Sequence, residues 1–99
     1  MRLTSAQIEA IREIVTEIAG GDAAVRVFGS RLDDMAKGGD VDLMVEIPHP
    51  VEAPAPLAAR IAGRASRMMS GRKVDVVIAA PNLAWLLIHE AASKQGVLL

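Results

Sequence analysis

The stretch that decides the fold runs from Val25 to Ile47, VRVFGSRLDDMAKGGDVDLMVEI. Its start, with Ala24 before it, gives a short, apolar, valine-rich segment, Ala24 to Phe28, which predicts a strand. Gly29-Ser30 turns the chain at once. Arg31 to Gly39 is polar, and Gly38-Gly39 marks a second turn. A further strand is expected over Asp40 to Ile47. Side chains alternate along a strand, so Asp40, Asp42, Met44 and Glu46 share one face and Val41, Leu43, Val45 and Ile47 the other.

The remaining elements follow outward from this stretch. Upstream, Ile8, Ile11, Ile14, Val15 and Ile18 recur at helical spacing. Thr4 with Gln7 fits a capping box at the start of that helix, and Gly20-Gly21 ends it. Downstream, Pro48 to Pro56 holds four prolines in nine residues and reads as an extended connector. A helix is expected over Leu57 to Ser70, a strand over Lys73 to Ala79, and a last helix over Leu83 to Lys94 with Asn82 as its cap. Gly96 breaks that helix, and Val97-Leu98-Leu99 closes as a short strand or tucks in. The order α-β-β-α-β-α predicts one α/β domain over residues 1–99, a small mixed sheet with helices packed on it.

Composition narrows the function classes. The net charge is −1 with both signs interleaved, so no basic field favours nucleic acid. There is no cysteine, which excludes a disulfide scaffold and a thiolate zinc site and fits a reducing cytoplasm. No apolar run approaches the ~20 residues that span a bilayer, and the N-terminus has no apolar signal region. The apolar fraction is 52% with one Phe, one Trp and no Tyr, so the core is aliphatic. That much aliphatic surface on a small chain points to burial against another subunit or protein. LAWLLI, Leu83 to Ile88, is apolar on nearly every face of a helix, which marks a helix buried all round or docked on a partner. Its Trp85 and Leu86 are the candidate interface.

Three carboxylates are the candidate chemistry. Asp40 and Asp42, two apart on a strand, point to one side, where their charges repel unless a cation lies between them. Hard oxygen ligands suit Mg²⁺, which completes its shell with water and phosphate. The competing reading is an acidic strand end. Asp75 interrupts the otherwise apolar KVDVVI, where a carboxylate is costly unless paired or metal-bound. Its competing reading is a salt bridge to Lys73 or a nearby Arg. If the third strand lies beside the second, Asp75 joins the same site, as metal ligand or proton acceptor. Gly29-Ser30 exposes backbone N–H groups of the kind that cradle phosphate, and Arg31 could reach a phosphate. As a lone dipeptide, Gly-Ser is a plain turn. His49, in the connector, and His89, on the last helix, form no metal motif.

Taken together, FGSRLDDMAKGGDVDLMVEI resembles the signature of the DNA polymerase β-like nucleotidyltransferases, in which Gly-Ser precedes Asp-x-Asp by about ten residues and a third acid lies on a later strand. The likeness is nearest to the small stand-alone minimal nucleotidyltransferases and covers nearly the whole chain. Gly29, Ser30, Asp40, Asp42 and Asp75 fall on signature positions; the spacer Arg31 to Gly39 is nine residues, one shorter than the commonest form. The resemblance implies a polymerase β-like fold and transfer of a nucleoside monophosphate, AMP from ATP, to an acceptor hydroxyl. It implies Mg²⁺ on Asp40, Asp42 and Asp75, with the phosphates gripped by Gly29, Ser30 and Arg31. Small members of this family are commonly encoded beside a helical HEPN-type protein as its antitoxin. Such a partner, or a homodimer, is the expected assembly. The alternatives are a non-catalytic module that binds nucleotide or neutralises a HEPN-type toxin by docking, and an antibiotic-modifying transferase. The short length counts against the last.

Overall fold

A computed structural model describes residues 3–29 and 40–99. The first helix, α1 (Ser5–Ala19), starts where its capping box predicts. The Gln7 backbone N–H donates to Thr4 Oγ1 at 3.0 Å, and the Thr4 N–H donates to Gln7 Oε1 at 2.9 Å. Both bonds satisfy donors that the first helical turn leaves free. Ile11, Ile14 and Val15 form its buried stripe.

Strand β1 (Ala24–Phe28) pairs antiparallel with β2 (Val41–Glu46), and β3 (Val74–Ala79) pairs parallel with β2. A two-residue strand, β4 (Val97–Leu98), joins the other side of β1. The sheet order is β3-β2-β1-β4, a small mixed sheet as expected. Parallel pairing of β2 and β3 requires a crossover, and α2 (Pro54–Met68) supplies it.

That helix begins three residues before the expected Leu57. Proline is compatible with the first helical turn, where its missing N–H has no partner to lose, so Pro54 and Pro56 open the helix instead of extending the connector. Its end is a Schellman turn, with Gly71 N–H donating to Ser66 O at 2.8 Å and Ser70 in the left-handed region at φ 59°.

The last helix, α3 (Leu87–Gln95), is shorter than expected. Asn82 does not cap it. Its side chain accepts from Val51 N–H at 2.9 Å and donates to Val51 O at 2.8 Å, tying the connector to the loop after β3. The effective cap is His89, whose ring reaches back to Leu86 N–H at 3.0 Å. Gly96 ends α3 where a Cβ would collide with Ala92 O and lie 3.1 Å from Val27 O.

The sheet has two unequal faces. Val25, Val27, Val41, Leu43, Val45, Ile47, Val74 and Ile78 bury against α1 and α2 through Ile11, Ile14, Val15, Ile61, Ala65 and Met69. Each large aliphatic side chain fully buried there contributes about 1.5–3 kcal/mol. On the other face, among the described residues, Phe28, Met44, Ala79 and Ala92 form a smaller buried cluster, with Val77 beside them. The short α3 covers that face in part. Among the described residues, no helix is long and apolar enough to cross a membrane.

Candidate active site

The less covered face carries the acids. In the β1–β2–β3 register, Phe28 stands opposite Asp42, and Asp42 opposite Asp75. Residues paired across neighbouring strands share a face, with backbones about 4.8 Å apart. The parallel pairing therefore brings Asp75 beside Asp42, as the sequence required for a shared site. Asp40 lies just before β2 and is exposed, with Lys73 Nζ 3.9 Å from its Oδ2. The Val41 N–H donates to Lys73 O at 2.9 Å, which holds the two strand starts together.

Asp75 corrects one expectation. It is exposed rather than buried among its valines, because it lies near the start of the edge strand β3. Burial therefore gives no reason for it to need a counter-ion. The structure also places Lys73 against Asp40 rather than Asp75.

Gly29 ends β1 beside these acids. It has φ 78°, which side chains rarely adopt, and a Cβ built on it would fall 2.7 Å from Asp42 Oδ2. The turn and the carboxylate thus occupy one small volume, and glycine meets both demands. Ser30 and Arg31, the other two expected phosphate contacts, lie outside the described residues, as does the whole spacer from Arg31 to Gly39.

Among the described residues, no three His, Cys, Asp or Glu side chains converge on one point as a ready-made metal site. The donor chemistry nonetheless fits Mg²⁺. That ion is commonly held by one or two carboxylates and takes its remaining ligands from water and substrate phosphate. The in-register pair Asp42–Asp75 offers that minimum, and Asp40, on an exposed ion pair with Lys73, is held weakly enough to join.

A family model described as nucleotidyltransferase domain matches residues 8–94, which include all of β1, β2 and β3. The chain belongs to the nucleotidyltransferase domain family. No curated relative matches it. In nucleotidyltransferase terms the match spans every candidate site residue, from Gly29 to Asp75.

A cleft of about 420 Å³ opens elsewhere on this nucleotidyltransferase, at the opposite end of β2. Asp22, Glu46, Pro48, Pro81 and Trp85 line it. Arg26 Nε already donates to Glu46 Oε1 at 2.8 Å, so that acid is engaged. The carboxylates lie at the other end of the sheet from this cleft, where Asp40 and Asp75 are exposed.

His89, expected as a plain helix-face residue, and Trp85, expected at an interface, also do defined work within the chain. His89 is buried, accepts from Leu86 N–H through Nδ1, and so donates through Nε2 to Ile78 O at 2.9 Å. Trp85 stacks on the His89 ring at 5.2 Å and donates to Glu90 Oε2 at 2.8 Å. No common capping residue stands at Leu86, so the sequence points to Asn82 as the cap and not to His89. The apolar run also departs from expectation. Trp85 and Leu86 precede α3, and Trp85, Leu86, Leu87 and Ile88 are all exposed.

Proposed function

We propose that this nucleotidyltransferase moves a nucleoside monophosphate, AMP from Mg²⁺-bound ATP, onto a hydroxyl of a partner protein. One observation carries the proposal: Asp42 and Asp75 stand in register on adjacent strands, against a glycine turn with no room for a side chain. In the reaction, the acceptor oxygen bonds to the α-phosphorus and the bond from that phosphorus to the bridging oxygen breaks, releasing pyrophosphate. Asp75, exposed at the rim, takes the hydroxyl proton. Asp42 and Asp40, joined by Asp75, would hold Mg²⁺, which when bound supplies the positive charge that stabilises the triphosphate and leaving group. Gly29 lets the backbone approach the phosphates, with Ser30 and Arg31 as further contacts.

A cytoplasmic antitoxin paired with a HEPN-type helical protein would use this chemistry on that partner. A second reading, neutralisation by docking alone, is favoured by the exposed Trp85–Ile88 run, which offers an apolar surface without any need for catalysis. Calorimetry of ATP with and without Mg²⁺, on the wild type and on Asp42→Asn, tests the first reading. Mg²⁺-dependent binding lost in the mutant supports it. A biological effect that survives both Asp40→Asn and Asp42→Asn overturns it in favour of docking.

A further inference from the structure

Strand β2 has an acid at each end, and each acid has a cation beside it. At one end Arg26 Nε donates to Glu46 Oε1 at 2.8 Å, with the two side chains 28% and 35% exposed. That is a fixed pair, held by a directed hydrogen bond from a planar guanidinium. At the other end Lys73 Nζ stands 3.9 Å from Asp40 Oδ2, with the side chains 67% and 50% exposed. That distance is beyond a hydrogen bond, and so exposed a pair adds little to stability. The strand starts are joined instead through the backbone, by Val41 N–H on Lys73 O at 2.9 Å. The fold therefore has little use for the Lys73 ammonium.

The register shows what that ammonium faces. Val41 and Val74 stand opposite each other across β2 and β3, and both are buried in the core with α1 and α2. Their neighbours in sequence point to the other face of the sheet. Asp40 and Asp42, flanking Val41, and Lys73 and Asp75, flanking Val74, therefore share that face. Asp42 pairs with Asp75, and one step earlier Lys73 lies beside Asp40. Three carboxylates and one ammonium thus form a four-cornered group, with backbones about 5 Å apart across the strands and about 7 Å apart along them.

We propose that Lys73 competes with Mg²⁺ for the Asp40 carboxylate and, displaced from it, binds the phosphate groups of the nucleotide. The proposal rests on the transferase reading above. A divalent cation on Asp40 and Asp42 takes the oxygen that Lys73 faces and repels the ammonium as a like charge. Displacement needs no refolding, because the lysine stem is long, flexible and exposed. Mg²⁺ takes phosphate oxygens among its remaining ligands, which brings new negative charge to the same face. Lysine binds phosphate as a point charge, without a fixed geometry, so a mobile ammonium suits that exchange. A guanidinium locked as Arg26 is on Glu46 does not. Lys73 would then offset charge on the triphosphate and on the pyrophosphate that leaves.

Calorimetry on the full chain, with MgCl₂ alone and then with Mg²⁺ and ATP together, tests the exchange. The proteins are the wild type, Lys73→Gln, Lys73→Arg and Arg12→Gln. The last removes the same charge from an exposed position on α1 and controls for net charge. Lys73→Gln is expected to bind Mg²⁺ alone about two- to fivefold more tightly, the worth of an exposed ion pair. It is expected to bind ATP with Mg²⁺ about tenfold more weakly. Lys73→Arg, which keeps the charge, should recover most of the ATP affinity, and Arg12→Gln should match the wild type in both titrations. If Lys73→Gln keeps the wild-type affinity for ATP with Mg²⁺, or if Arg12→Gln changes as much as Lys73→Gln does, the inference is overturned and the transferase reading stands. A wild type that binds no ATP with Mg²⁺ overturns both.

Discussion

Asp42 Oδ2 occupies the space into which residue 29 would project a side chain: a Cβ on Gly29 would fall 2.7 Å from it. The end of β1 and the carboxylate of β2 are therefore coupled sterically, across a register that sets Phe28 opposite Asp42. Gly29→Ala must move either the turn or the carboxylate, and φ 78° adds strain of about 1–2 kcal/mol. The expected outcome is a stability loss of that order in urea denaturation, with Mg²⁺-dependent ATP binding weakened about tenfold or more. A variant that loses stability but binds ATP as the wild type does would show that Asp42 tolerates the displacement.

Asp42 and Asp75 stand side by side on adjacent strands, so neutralising either removes like-charge repulsion as well as a ligand. Asp75→Asn, at an exposed position, should fold about as stably as the wild type by thermal melting, and Asp42→Asn should keep the fold. Pyrophosphate release should fall by about 100-fold or more in each. Activity retained in Asp75→Asn would remove that residue from the proton-transfer role.

His89 serves two backbone groups at once, accepting from Leu86 N–H and donating to Ile78 O. His89→Leu fills similar space and satisfies neither. The loss should be about 1–3 kcal/mol for each group left without a partner in the protein. Because Trp85 stacks on the ring, its fluorescence should shift in the same variant. An unchanged spectrum would mean that Trp85 is held chiefly by Glu90.

Glu90 has its carboxyl lowered below the usual carboxylate range by the hydrogen bond from Trp85 and then by the contact with Lys94. A depressed folded-state value means that the charged form is favoured by folding. Its stabilising effect is present above the ordinary carboxylate range and lost as pH falls through the lowered value. Trp85 emission should therefore change on acidification into and below that range. Glu90→Gln, which keeps an acceptor for the indole but cannot ionise, should abolish that change. A titration identical in both proteins would assign it to another group.

Local chemistry determined much of this protein from sequence alone. The α1 cap at Thr4 and Gln7, the limits of β1, and the placement of Asp42, Met44 and Glu46 on one face all depend on near neighbours, through backbone donors and the two-residue period of a strand. Only the tertiary structure decided what depends on distant partners. The parallel register of β2 and β3 sets Asp75 beside Asp42, and the edge position of β3 leaves Asp75 exposed. The same distance dependence explains the misread segment after β3. Leu83 to Leu86 has helical composition, but Asn82 is held by Val51, 31 residues away, and His89 by Ile78. Those bonds hold the chain in a turn at Ala80 to Leu83 and an irregular approach to Leu86, so the helix starts at Leu87 and its apolar approach stays on the surface. Periodicity records which side chains share a face; it carries no information on which strand, loop or second chain that face will meet.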